Sequence, residues 1–301
     1  VKTALAVSLI ALGWTTSANA DAINLGAARD TTIYGPNLTA NSNGGGGTIS
    51  AGTNGNGEPR RGLLCFDLTG IPSGAVIENA TLILTLARSA SLDIDRAIFL
   101  HRLLADWGEN QASDAGLGMG SGMGVPAQPG DATWMARFFD QGLSWSTPGG
   151  DFVDIPSATT MVTPELMPYY WSSPGLLADV KTWIATPATN FGWIVQSDED
   201  SFRGNRQFHS RETLEAGTAP TLQITYSVLR PLGIEHEFGG GYRLRFRGKA
   251  GQSYTLEFTP GLAPANWLPL GVQTADAQGE FSIVDVPPTG TLSRFYRAIF
   301  P

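Results

Sequence analysis

Apolar and polar residues alternate with period two through residues 62–67, 81–87, 96–103, 191–197 and 221–227. Such alternation predicts short strands with one buried face. Turn-forming runs separate them: Gly70-Ile71-Pro72-Ser73-Gly74, Thr147-Pro148-Gly149-Gly150 and Gly217-Thr218-Ala219-Pro220. Helical spacing is clearest over residues 175–185, where Leu176, Val180, Trp183 and Ile184 share one face. A second short helix is predicted over 131–139. Two glycine-rich tracts interrupt the pattern. Residues 41–57 read as a long hairpin tip. Residues 114–130 read as a loop, not a phosphate cradle, because no Lys-Ser or Lys-Thr follows its glycines.

Beyond Leu229-Arg230-Pro231 the alternation restarts, predicting strands at 242–247, 253–259, 268–274, 280–285 and 293–300. Charge changes at the same point, from −10 over residues 21–229 to +1 over residues 230–301. With 37 glycines and 19 prolines in 301 residues, strands and turns outweigh helices. The expectation is an all-β protein. Residues 21–228 form a jelly-roll-like β-sandwich with one or two short helices, and residues 229–301 form a smaller β-sandwich.

Residues 1–20 read as a signal peptide: Lys2, an apolar run from Ala4 to Trp14, then Ala18-Asn19-Ala20. Later apolar runs are too short to span a bilayer. A net charge of −8 argues against nucleic acid as a partner. Cys65 is the only cysteine, which excludes an internal disulfide and any cysteine-built metal site.

The residues Arg60-Arg61-Gly62-Leu63-Leu64-Cys65-Phe66-Asp67-Leu68, with Ile71-Pro72 and Ala80-Thr81-Leu82 after them, resemble the start of a DNRLRE domain. Four further blocks follow in the order of that family. They are His101 to Glu109, Ala178-Asp179-Val180 with Trp183, Asn190-Phe191-Gly192-Trp193, and Ser210-Arg211-Glu212 with Ala219-Pro220-Thr221-Leu222. The resemblance covers about residues 28–227. It implies a secreted β-sandwich of the carbohydrate-binding kind. Cys65 departs from the arginine or alanine often found there, and the 114–130 tract is longer than in the simplest members. The tail ending Arg294-Phe295-Tyr296-Arg297-Ala298 is similar to small β-sandwich modules that close many secreted bacterial proteins.

Several residue sets carry candidate chemistry. Loop tryptophans Trp107, Trp134, Trp145 and Trp171, with Arg60, Arg102 and Arg206, form a candidate glycan surface, since flat rings stack on sugars and guanidinium groups hold hydroxyls or acids. The same rings could instead seal the insertions onto the sandwich. Arg61, Asp67, Arg211 and Glu212 are candidates for a structural ion-pair network, with Glu212 as partner of an inward arginine. Asp198 and Asp200 could ligate calcium. His101, Asp106, Trp107 and Glu109 suggest an acid–base site, against which stands a plain strand end. The composite expectation is a secreted, non-catalytic protein whose partner is an extracellular or envelope polysaccharide. The alternatives are a structural or adhesive surface protein that self-associates and a polysaccharide-degrading enzyme that uses Glu109. No cofactor is expected beyond structural calcium.

Overall fold

The computed structural model describes residues 20–91, 94–110, 112, 122–291 and 293–300. The predicted signal peptide through residue 19 and the glycines at 116, 118 and 120 lie outside them. Two compact units are present, one comprising residues 22–73 and 77–226 and the other chiefly residues 227–301.

The strands of the larger unit are β1 (Asp21–Tyr34), β2 (Asn41–Ser42), β3 (Thr48–Thr53), β4 (Pro59–Phe66), β5 (Val76–Ser89), β6 (Arg96–Arg102), β7 (Val125–Pro126), β8 (Ala136–Phe138), β9 (Leu143–Ser144), β10 (Ala158–Val162), β11 (Pro168–Trp171), β12 (Trp193–Ser197), β13 (Arg206–His209) and β14 (Thr221–Ser227). Between β11 and β12 lies helix α1 (Pro174–Ala185). The protein is all-β. Ten of these strands join one sheet in the order β1-β14-β5-β13-β3-β4-β12-β6-β10, with β11 added to β5. Because β1 also pairs with β4, six of the strands close into a ring. Closure removes free edges that an open sheet would expose.

Strand β4 lies at the junction where the ring meets the β12-β6-β10 extension, and it is covered on both faces. On one face Leu63 and Cys65 join Ile33, Ile194, Leu103, Trp107, Ala132, Trp134 and Trp145 in a single apolar cluster. On the other face Phe66 meets Trp193 edge-on at 6.3 Å between ring centroids. Helix α1 packs there through Leu176, Val180 and Trp183, with Trp183 4.6 Å from Trp193. Its start is set by Ser173, whose Oγ accepts the Leu176 N–H at 3.0 Å, and by Pro174 in the first turn.

Two expectations are corrected. Residues 131–139 are not a helix but a turn leading into the β8–β9 hairpin. The helical spacing of its apolar residues is overridden by a lid role: Ala132 and Trp134 enter the core cluster directly. Residues 48–53 are not a hairpin tip. They form β3, buried at all six positions between β4 and β13.

The smaller unit holds β15 (Arg230–His236), β16 (Tyr242–Arg247), β17 (Ser253–Thr259), β18 (Leu268–Thr274), β19 (Glu280–Asp285) and β20 (Phe295–Ile299). Two three-stranded sheets, β15-β16-β19 and β18-β17-β20, share a core of Leu244, Phe246, Tyr254, Leu256, Ala275 and Phe281. Tyr254 stacks on Phe281 at 4.7 Å.

Candidate functional site

The four tryptophans expected to face a ligand are interior. Trp107 and Trp171 are fully buried, and Trp145 and Trp134 are 5% and 9% exposed. Their polar edges are spent inside: Trp107 donates to the Phe191 carbonyl at 2.8 Å, Trp145 to Thr133 at 2.9 Å and Trp171 to Ile98 at 3.0 Å. The cause lies in the sheet beneath. Ile33, Leu63, Cys65 and Ile194 would present an apolar face to water, and the rings of the insertions cover it.

The arginines follow suit. Arg60 is fully buried, donating to the Gly122 carbonyl at 2.9 Å and lying over the Tyr34 ring at 5.0 Å. Its carboxylate partner is Glu58 at 3.4 Å. Arg206 is fully buried and donates to the Ile94 carbonyl. Arg102 pairs with Asp179 of α1 at 3.3 Å, and Asp179 also accepts the Trp193 indole N–H at 2.9 Å. Arg60 and Arg206 are thus interior, while Arg102 is tied to Asp179 with a third of its side chain exposed.

The expected ion-pair network divides. Glu212 is not the partner of the inward arginine, Arg60, which takes Glu58; it pairs instead with the half-exposed Arg211 at 2.7 Å. Arg61 instead forks onto Glu199, with Nε and Nη2 at 2.7 and 2.8 Å from its two oxygens. Asp67 accepts the Thr69 backbone N–H at 2.9 Å, closing its own turn. Asp198 accepts the Asp200 N–H at 2.8 Å and lies 3.9 Å from Arg96, so this pair forms a local turn and does not converge as a calcium site. The acid–base set is also dispersed. His101 Nδ1 faces the Val153 carbonyl at 2.9 Å, Asp106 pairs with Arg29 at 2.9 Å, and Glu109 joins Arg211 at 3.1 Å.

Two arrangements remain at the surface or just beneath it. The first is an open groove of about 560 Å³ lined by Arg61, Leu104, Ser146, Thr147, Asp151, Phe152 and Asp154. Its floor is rigid. Arg61 is held by Glu199, donates to the Gly149 carbonyl at 2.8 Å and lies 4.6 Å over the Trp134 ring. Asp151 accepts the Ser146 and Thr147 N–H groups, each at 2.9 Å, which fixes the loop around it. Leu104 is 54% exposed in this groove.

The second is a group of three acids from distant parts of the chain: Asp30 on β1, Glu109 after β6 and Glu212 after β13. One carboxylate oxygen of each lies within 4.8 Å of the others. Burial pushes the Asp30 carboxyl well above its usual range, with repulsion from Glu212 adding to it. Burial likewise raises Glu109, and it pushes Glu212 up to about 7. Sequence reasoning missed Asp30 and Glu58, and read Glu199 as part of an acidic turn and not as the partner of Arg61. No local pattern marks them, since their partners lie far away in the chain or within an unremarkable turn.

The chain matches no protein-family model and no curated protein. Among solved structures it is similar to the glycoside hydrolase domain Spr0440, Endo-D, from Streptococcus pneumoniae R6, at 6% identity and a TM-score of 0.16. That match covers 93% of this chain but only 37% of the other. A likeness this slight fixes neither fold nor activity. Among the described residues, no helix is long and apolar enough to cross a membrane.

Proposed function

We propose that the protein is a secreted, non-catalytic carbohydrate-binding protein of the DNRLRE kind, and that it binds an uncharged polysaccharide in the groove between Leu104 and Asp154. The groove's chemistry carries this reading. Leu104 and Phe152 offer apolar surface to a sugar ring. The Ser146 and Thr147 hydroxyls can donate to or accept from its hydroxyls, and the Asp151 and Asp154 carboxylates can accept from them. The one lining arginine already spends its charge on Glu199, so the groove presents an excess of negative charge. An acidic glycan would be repelled and a neutral one would not. The shallow, open form suits a long chain passing through. The acids whose carboxyls burial raises, Asp30, Glu109, Asp131 and Glu212, all lie outside the groove lining, which supports binding without bond cleavage.

Affinity electrophoresis against a panel of neutral and acidic polysaccharides tests this. The expected result is retardation by at least one neutral polymer with no release of reducing ends. Retardation by acidic polymers alone, or by none, contradicts it.

A self-associating surface protein is the second reading. It is favoured by the smaller unit, where β15 is exposed along its whole length and Phe238, Ile234 and Val286 face solvent. Light scattering across a concentration series would show growing assemblies if that reading holds. Pro231 and the bulge beside it blunt this strand edge, which favours the glycan reading.

A further inference from the structure

Asp30 sits wholly inside the larger unit, yet its Oδ1 receives no hydrogen bond, and Glu212 Oε2 is buried in the same condition. Buried polar oxygens are almost always satisfied. Two unsatisfied carboxylate oxygens in one cluster therefore point to a missing partner. The protein groups at hand do not supply it. Arg211 gives its backbone N–H to Asp30 Oδ2 at 2.7 Å and its Nε to Glu109 Oε1 and Glu212 Oε1. The Glu212 backbone N–H is used by Ser210 Oγ at 3.1 Å. Arg29 is committed to Asp106 and the Trp107 carbonyl.

Charge leads to the same place. With all three carboxyls deprotonated, as a bound cation would require, the single guanidinium of Arg211 leaves two negative charges, which one divalent cation would neutralise. Oxygen donors from side chains on three separate segments, with no nitrogen or sulfur among them, suit a hard cation. Calcium fits better than magnesium, because it accepts irregular carboxylate sets of this sort, whereas magnesium demands near-octahedral order and retains its water.

We propose that Asp30, Glu109 and Glu212 form a calcium site that ties β1 to the segments following β6 and β13. It lies away from Asp198 and Asp200, where the sequence suggested one. By binding only the folded arrangement, calcium stabilises it. This inference stands apart from the glycan reading, since its test contains no polysaccharide.

The test uses the whole protein stripped with a chelator and titrated with calcium chloride, or with magnesium chloride, at mildly alkaline pH. Calorimetry reads binding and a thermal melt reads stability. One calcium per chain is expected, with a rise in melting midpoint that magnesium does not match. Glu212→Gln should weaken calcium binding by about tenfold or more. Should that variant fail to fold, Glu109→Gln serves the same purpose. Asp198→Asn should bind as the unaltered protein does. The proposal is overturned if calcium produces neither heat nor a midpoint shift, if both glutamine variants bind it unchanged, or if Asp198→Asn abolishes binding.

Discussion

Trp145 fills space between the insertion and the sheet and donates its indole N–H to Thr133, so truncating it opens a cavity and orphans a carbonyl. Trp145→Ala should lower stability by about 3–5 kcal/mol, read from the shift in denaturant midpoint. A surface ring in a binding site would cost little, so a shift near zero would restore the ligand-facing reading. The sequence pointed the other way for a physical reason. Proline and glycine around Trp134 and Trp145 mark a loop, and loops lie at surfaces. What drew these rings inward is the apolar outer face of β4 and β12, visible only once distant strands are in register. His101 makes a second prediction. Burial holds its imidazole below the ordinary value of 6.5, Arg61 adds to the effect, and the Val153 carbonyl and Asp154 pull the other way. The fold thus disfavours the charged form. The associated stability is complete above the unfolded value and is lost as pH falls through the lowered folded one. His101→Gln should flatten that part of the stability–pH curve, measured by denaturant titration at several pH values. An unchanged slope would show that His101 does not contribute.

At the scale of elements, β12 depends on the glycine before it. Gly192 has φ +79°, and a Cβ there would collide with the Leu64 carbonyl oxygen and the Cys65 backbone. Gly192→Ala should therefore displace β12 from β4 and separate Trp193 from its Asp179 partner. Loss of near-ultraviolet circular dichroism from Trp193, with a lowered melting midpoint, checks this. A native spectrum would contradict it. Elements were legible in proportion to their alternation. Strands β16 to β20 each lie within a residue or two of the predicted spans, with β16 and β17 dividing into a buried and a solvent face. Strand β15 was not legible. It carries Pro231 and Gly233, exposes all seven residues and pairs on one side only. Strand β3 failed for the opposite reason. Thr48, Ser50 and Thr53 are buried despite their hydroxyls, which defeats a hydrophobic pattern.

For the molecule as a whole, an all-β architecture followed from short strands and frequent turns. Closure of the ring did not, since it rests on β1 pairing with both β4 and β14 over long chain separations. Strand alternation and charge placed Arg61, Arg211 and Glu212 in one ionic set but could not pair them across the fold: Arg61 found Glu199, and Arg211 found Glu109 as well as Glu212. The surface groove of the larger unit, and not its buried tryptophans, is the site for a glycan in the function proposed. Leu104 is its exposed apolar contact and makes no buried core of its own. The decisive measurement is calorimetric titration of the best-retained neutral polysaccharide into the unaltered protein and into Leu104→Asp. Leu104→Asp should lose affinity by about tenfold or more at an unchanged melting midpoint. Equal affinity for the two proteins would contradict it.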